Sequence, residues 1–422
     1  MQTGSGLAWY HGMMRRVGVD PALMEGPVYS EDCLYLNIWT DMDAEGKRPV
    51  LIFIHGGSNT GGWSYEPNYH GESLVKRDVV VVTVAYRLGV FGWLSHPEME
   101  ARNLALYDLA MSLEWVYQHI GKFGGDPNLI TVSGESSGAT NALHLAVSPL
   151  SRGRVGGLIH QSGGWPLDDT PDRNEATARG IELARRALDG HTGLEALRQV
   201  PSERIMALAG EVYADFQLDP IEDPESLPVT LESMAASGSI AAIPMLIGTN
   251  ADERLMYLKA GGTLDQLLQS RVALTQQDDV RAYLSGAGDE LAQRNQLGTA
   301  LDFLCPSLEL ASLIEKNDGA AWVYRFDRVR PGFDAIGAYH GAELPYVFDR
   351  HDAWLPSSKV DDDLTAVILD YWTSFITQGR PQSHQGGPWP AWSATQQTAV
   401  LNDGVSFRPH PDRELCRLLK GR

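Results

Sequence analysis

An α/β architecture, a mostly parallel sheet with helices on both faces, is expected for this 422-residue sequence on three grounds. Short apolar, β-branched runs recur at 34–39, 50–54, 79–86, 129–132, 158–161, 245–247 and 322–326. They lack the apolar–polar alternation of a strand with one wet face, so they read as strands buried on both sides. Helical patterns fall between them, and Gly-rich turns punctuate the series, which is the alternation that builds a parallel sheet.

Taken in order, the run at 79–86 is the most uniformly β-branched, with Val79 to Val82, Thr83 and Val84 in succession. The stretch 103–123 then stacks Leu106, Leu109, Leu113 and Val116 at helical spacing, and 139–147 is a second helix directly after the fourth strand. Two stretches, 170–240 and 255–318, break the alternation with charged helical segments such as 173–189. They are expected to pack over the carboxyl edge of the sheet, where α/β enzymes place their pockets. No repeat and no long polar linker divides the chain, so 1–422 reads as one domain with helical insertions.

Composition narrows the function. With 43% hydrophobic and 21% charged residues the chain is neither disordered nor fibrous. A net charge of −20 repels phosphate backbones, so nucleic acid is not expected as a partner. The longest apolar run, 79–86, interrupted by Thr83, is far short of the roughly 18 residues that span a bilayer, so membrane insertion is not expected. No signal-peptide pattern is visible, and a cytoplasmic location is expected. Cys33, Cys305 and Cys416 are too few and too scattered to predict a disulfide framework or a zinc site. Without an HExxH or a His/carboxylate cluster at ligand spacing, neither metal nor cofactor is expected.

The chemistry concentrates at two turns. Thr131-Val132-Ser133-Gly134-Glu135-Ser136-Ser137-Gly138-Ala139 reads as strand, G-x-S-x-G, helix. A serine at the centre of that turn is lifted clear of the backbone, which makes Ser136 the candidate nucleophile, and the helix behind it points its positive end at the same spot. Upstream, Leu51 to Ile54 ends in His55-Gly56-Gly57-Ser58. N–H groups of Gly57, Ser58 and Ser137 are the expected oxyanion donors. His55 is expected to position that loop rather than react.

Ser30-Glu31-Asp32-Cys33-Leu34-Tyr35-Leu36-Asn37-Ile38-Trp39 and Phe123-Gly124-Gly125-Asp126-Pro127 leading into the serine turn resemble the two signatures of the type-B carboxylesterases, the group of cholinesterases and para-nitrobenzyl esterases. Ala85 to Gly89, Ile247 to Glu253 and Gly337 to Phe348 extend the resemblance from about residue 30 onward. The resemblance implies an α/β-hydrolase fold, hydrolysis of small to medium carboxylic esters, and a catalytic triad of Ser136, Glu253 and His340. Each residue type is needed on chemical grounds as well: the hydroxyl requires an imidazole to take its proton, and the imidazole requires a carboxylate to fix its tautomer. Asp252 is the competing acid, and Arg254 stands where the family usually carries glycine. The resemblance also implies an ion pair between Arg87 and Asp108, and Ser162 is a candidate support for the triad.

Departures from the family shape the remaining expectations. Only 29 residues precede Ser30, a shorter segment than in relatives, so a wider or re-rimmed pocket is expected. Arg15 or Arg16 is the candidate partner for Glu31, and Cys33 is expected as an unbridged, buried thiol. Asn59 replaces a common aromatic just past the oxyanion glycines. Together with Trp63, Tyr65, Trp165 and Tyr339 it forms the candidate substrate pocket.

Overall fold

The computed structural model describes residues 5–164, 170–237, 240, 242–259, 261–352 and 354–420. Its strands are β1 (Leu36–Trp39), β2 (Arg48–Ile54), β3 (Val80–Val84), β4 (Gly125–Glu135), β5 (Gly157–Gln161), β6 (Met245–Asn250), β7 (Ala321–Phe326), a short hairpin β8 (Gln382–Ser383) and β9 (Gly387–Pro388), then β10 (Gln397–Leu401) and β11 (Val405–Pro409). All but the hairpin pair into one sheet in the order β1-β3-β2-β4-β5-β6-β7-β10-β11. Pairing is parallel from β3 through β10 and antiparallel only at the two edges. This is the α/β-hydrolase fold.

The seven apolar runs all became strands, and the reason is visible in the core. Val50, Ile52 and Ile54 of β2 enter one hydrophobic cluster, with Val80, Val82 and Val84 of β3. Leu51 and Phe53, with Val81, enter the other. Successive side chains thus feed opposite faces of the sheet, so no position along these strands can be polar without cost. The helices Leu104–His119 and Ser137–Val147 cover the first face, and Lys359–Gln378 covers the second. β10 and β11 escaped the sequence reading because β10 offers only three apolar residues, Ala399 to Leu401, behind Gln and Thr, and β11 is a half-exposed edge strand whose polar residues interrupt any apolar run.

Two expectations are corrected. Cys305 and Cys416 form a disulfide, their Cα atoms 5.3 Å apart and 111 residues apart in sequence, so the chain is bridged after all. One long-range bridge leaves no local spacing to read. Cys33 is partly exposed rather than buried, because β1 lies at the sheet edge. The helical run Glu290–Lys316 is long and apolar enough to cross a bilayer, and 67% of its most apolar window is buried in the protein. Its apolar residues are interrupted by polar ones, among them Asp302, Ser307 and Glu309, which a search for unbroken runs passes over.

Candidate active site

The turn after β4 holds Ser136 at φ 57° and ψ −132°, a region that L residues avoid. Close approach fixes it there. A Cβ on Gly134 would lie 2.3 Å from the Gly138 backbone, and one on Gly138 would lie 2.2 Å from Ile54 O, so both glycines are required by space. Ser136 N donates to Gln161 O at 2.9 Å, tying the turn to β5. The helix Ser137–Val147 starts at this residue and directs its N-terminus toward the same point.

The loop after β2 presses against this turn: a Cβ on Gly56 would come within 2.8 Å of Ser136 Cβ. Gly57, Ser58, Ser136 and His340 share the wall of one inner recess, and Ser137 joins Ser58, Ser136 and His340 in the larger cavity beside it. Among the described residues, neither the Gly57 nor the Ser58 N–H is taken up by another atom of the chain. His55 is fully buried, stacked on Tyr86 with centroids 4.6 Å apart. Burial pushes its ring down to about 4, so it is neutral and its Nδ1 donates to Gly56 O at 2.9 Å, the loop-positioning part expected of it.

His340 arrives on the loop after β7. Its Nδ1 lies 2.6 Å from Glu253 Oε2, and Glu253 is fully buried, its other oxygen accepting Asn250 N at 2.7 Å. The neighbouring carboxylate has a different task. Asp252 accepts Ala338 N at 2.8 Å and Asn295 Nδ2 at 2.8 Å, which anchors the histidine loop without touching the ring. Phe303 and Tyr257 flank the imidazole at 5.1 and 5.9 Å. Its Nε2 lies 3.2 Å from Glu135 Oε1, the side chain immediately before Ser136. Among the described residues no hydrogen bond joins the Ser136 hydroxyl to His340 in this conformation.

Burial opposes a charge on His340, but the carboxylates of Glu135, Glu253 and Glu343 outweigh it and hold the ring toward the protonated form. Burial raises Glu135 in turn, with the nearby carboxylates adding to it and His340 opposing it. The two groups compete for one proton in a dry site. Glu343 sits beneath, accepting Gln161 Nε2 at 3.0 Å and Asn250 Nδ2 at 2.6 Å. Neither Glu135 nor Glu343 was given a role from sequence, although both lie inside the motifs that carry Ser136 and His340. The Arg87–Asp108 pair is present, with a two-point contact at 2.6 and 2.7 Å. Ser162 lines the cavity, its hydroxyl buried and not hydrogen-bonded among the described residues.

Two lobes meet at Ser136 and His340. The outer lobe, about 670 Å³, is walled by residues 206–219 of the first helical insertion together with Leu88, Val90, Phe91 and Phe303. The inner lobe, about 150 Å³, lies between the oxyanion loop and Trp9 and Tyr10 of the helix Ser5–Arg16. It contains Glu66, whose carboxyl burial pushes up to about 7 while donors from Tyr10 and Trp63 N pull it back.

The expected pocket residues are corrected accordingly. Asn59 is buried in a hydrogen-bond network, Trp63 and Tyr339 are packed in the core, and Tyr65 is half exposed; none lines either lobe. Trp165 lies outside the described residues. Arg16 donates to Met256 O at 2.8 Å rather than serving Glu31, which is exposed. The real lining from residues 206–219 and Trp9 was missed because it sits on insertions and a terminal helix, where no motif marks it.

Comparison with known proteins identifies the family. The carboxylesterase family model matches residues 13–410. Para-nitrobenzyl esterase of Bacillus subtilis (strain 168) is 32% identical over 92% of this chain and 83% of its own length. Fumonisin B1 esterase of Sphingopyxis macrogoltabida is also 32% identical, over 89% of this chain and 74% of its own. A solved para-nitrobenzyl esterase superposes with a TM-score of 0.82 at 30% identity, covering 94% of this chain and 86% of that one. Sequence match, fold and relatives converge on one statement: this chain belongs to the carboxylesterase family and is a carboxylic ester hydrolase.

Proposed function

We propose that the chain hydrolyses small to medium carboxylic esters through an acyl-enzyme on Ser136, with His340 as base and Glu253 as its orienting acid. The observation that carries this reading is the 2.6 Å contact between His340 Nδ1 and the buried Glu253 carboxylate, on a ring that shares a cavity wall with Ser136. As the hydroxyl oxygen bonds to the ester carbonyl carbon, its proton passes to Nε2 and the carbonyl π pair moves onto oxygen. The N–H groups of Gly57, Ser58 and Ser137 receive that oxyanion. Collapse expels the alcohol, which takes the proton from Nε2. Water then repeats the sequence and releases the acid.

Nε2 at rest faces Glu135, the residue adjoining the nucleophile, so the reactive arrangement requires Nε2 to exchange that contact for the Ser136 hydroxyl. The lobes suggest the substrate's form: a bulky apolar arm toward the insertion and a small arm toward Trp9. Ser136→Ala should lower kcat by roughly 10⁶ and abolish stoichiometric labelling by a fluorophosphonate. Near-normal turnover in that variant would end the assignment. Parallel rates on matched ester, thioester and anilide substrates would define the bond cleaved.

A further inference from the structure

Asn59 stands next to the oxyanion loop yet touches three separate parts of the fold. Ser58 and Asn59 both adopt left-handed backbone, with φ of 53° and 58°. Two such residues in succession do not persist unless their surroundings hold them, and asparagine tolerates the conformation better than most. The holding contacts are all polar. Asn59 N donates to Ser137 Oγ at 3.1 Å, and its carbonyl accepts Gly89 N at 2.7 Å. Its side-chain oxygen accepts Asn141 Nδ2 at 2.7 Å, and its Nδ2 donates to Asp219 Oδ1 at 2.5 Å. Asn59 and Asn141 are 1% and 0% exposed, so water does not compete for these bonds.

Asn141 belongs to the helix that begins at Ser137, whereas Asp219 belongs to the first helical insertion and lines the outer lobe. A single amide therefore spans nucleophile helix, oxyanion loop and substrate-covering insertion. We propose that Asn59 is a positioning residue, holding the Gly57–Ser58 loop in its oxyanion-binding geometry only while Asp219 is seated against it. This rests on the reading of Ser136 as nucleophile. Its consequence is that the insertion reports its seating to the oxyanion donors through one hydrogen bond.

The test is a charge swap in the full-length enzyme, assayed with a para-nitrophenyl ester and a trifluoromethyl ketone that forms a tetrahedral adduct. Asn59→Asp sets two carboxylates face to face, and Asn59→Leu removes the amide at similar volume. Both should lower kcat by about 10², the scale of one lost oxyanion donor, with KM changed less than about threefold. Affinity for the ketone should weaken by a similar factor. The double variant Asn59→Asp/Asp219→Asn restores a donor–acceptor pair and should regain roughly tenfold or more of the kcat lost in Asn59→Asp. The inference fails if both single variants keep kcat and ketone affinity within about threefold of native, or if the whole loss is accounted for by a lower folded fraction. If Asn59→Asp does not fold, Asn59→Leu and Asp219→Asn carry the same comparison. Ser136→Ala run alongside keeps the two claims apart: turnover surviving there overturns the nucleophile, while an inert Asn59 overturns only the positioning role.

Discussion

The outer and inner lobes of the cavity meet along a shared wall that includes Ser136 and His340 but are built on opposite physical terms. The outer lobe is large and mostly apolar, supplied by an insertion whose residues Met206, Tyr213, Phe216 and Leu218 project over the sheet edge. The inner lobe is small and carries two buried carboxyls, Glu66 and Glu135, under a lid of Trp9 and Tyr10. Apolar walls select by volume, each extra buried methylene adding about 0.8 kcal/mol. Buried carboxyls select by protonation, because removing them from water makes their charge state the deciding variable. One lobe should therefore govern which substrates enter, and the other how the reaction responds to pH.

The junction itself is the largest lever, since both lobes depend on it. Glu253→Gln keeps the shape of the acid but removes the charge that holds the His340 tautomer. We expect kcat to fall by about 10³ to 10⁴ with KM little changed for bulky and small esters alike, checked by steady-state kinetics on both. A loss confined to one substrate size would mean that this carboxylate shapes a lobe instead of orienting the ring.

That junction was also the part legible in the sequence. Ser136 and Glu253 follow closely on β4 and β6, and His340 lies in the loop between β7 and Leu344, each inside a contiguous motif that a linear reading can match. Most of the sheet was legible because its central strands are buried on both faces and so cannot hide their apolar runs. Residues 206–219 and Trp9 were not legible, since what places them is packing against distant elements. Trp9 donates to Tyr257 across 248 positions, and Asn59 reaches Asp219 across 160. Asn59 is a pocket candidate because it adjoins the oxyanion loop in sequence; its side chain is taken up instead by Asn141 and Asp219, partners that sequence proximity does not reveal.

Volume selection in the outer lobe can be sharpened by filling it. Met206→Trp adds bulk on the insertion side, away from Ser136 and His340. Esters with a long or aromatic arm should lose about tenfold in kcat/KM, mostly through KM, while acetate-sized esters should stay within about twofold, read from a chain-length series. Equal losses for both would show that this insertion does not set size preference.

Charge selection in the inner lobe is tested by Glu135→Gln, which leaves the fold of the turn intact and removes one group that competes for the His340 proton. The sign follows from the electrostatics. A carboxylate 3.2 Å from Nε2 stabilises the imidazolium, so its loss lowers the ring's proton affinity and leaves more free base at any given pH. The acid limb of the kcat/KM profile should move to lower pH by on the order of one unit, a shift typical of removing one neighbouring charge. An acid limb that stays in place would mean that Glu135 remains protonated throughout the working range, so that the inner lobe acts by shape, as the outer one does; an upward move would overturn the electrostatic coupling of Glu135 to His340. The same variant should leave the chain-length preference untouched, because none of the apolar wall of the outer lobe is altered. A change in both readouts together would show the two lobes to be coupled through the serine turn.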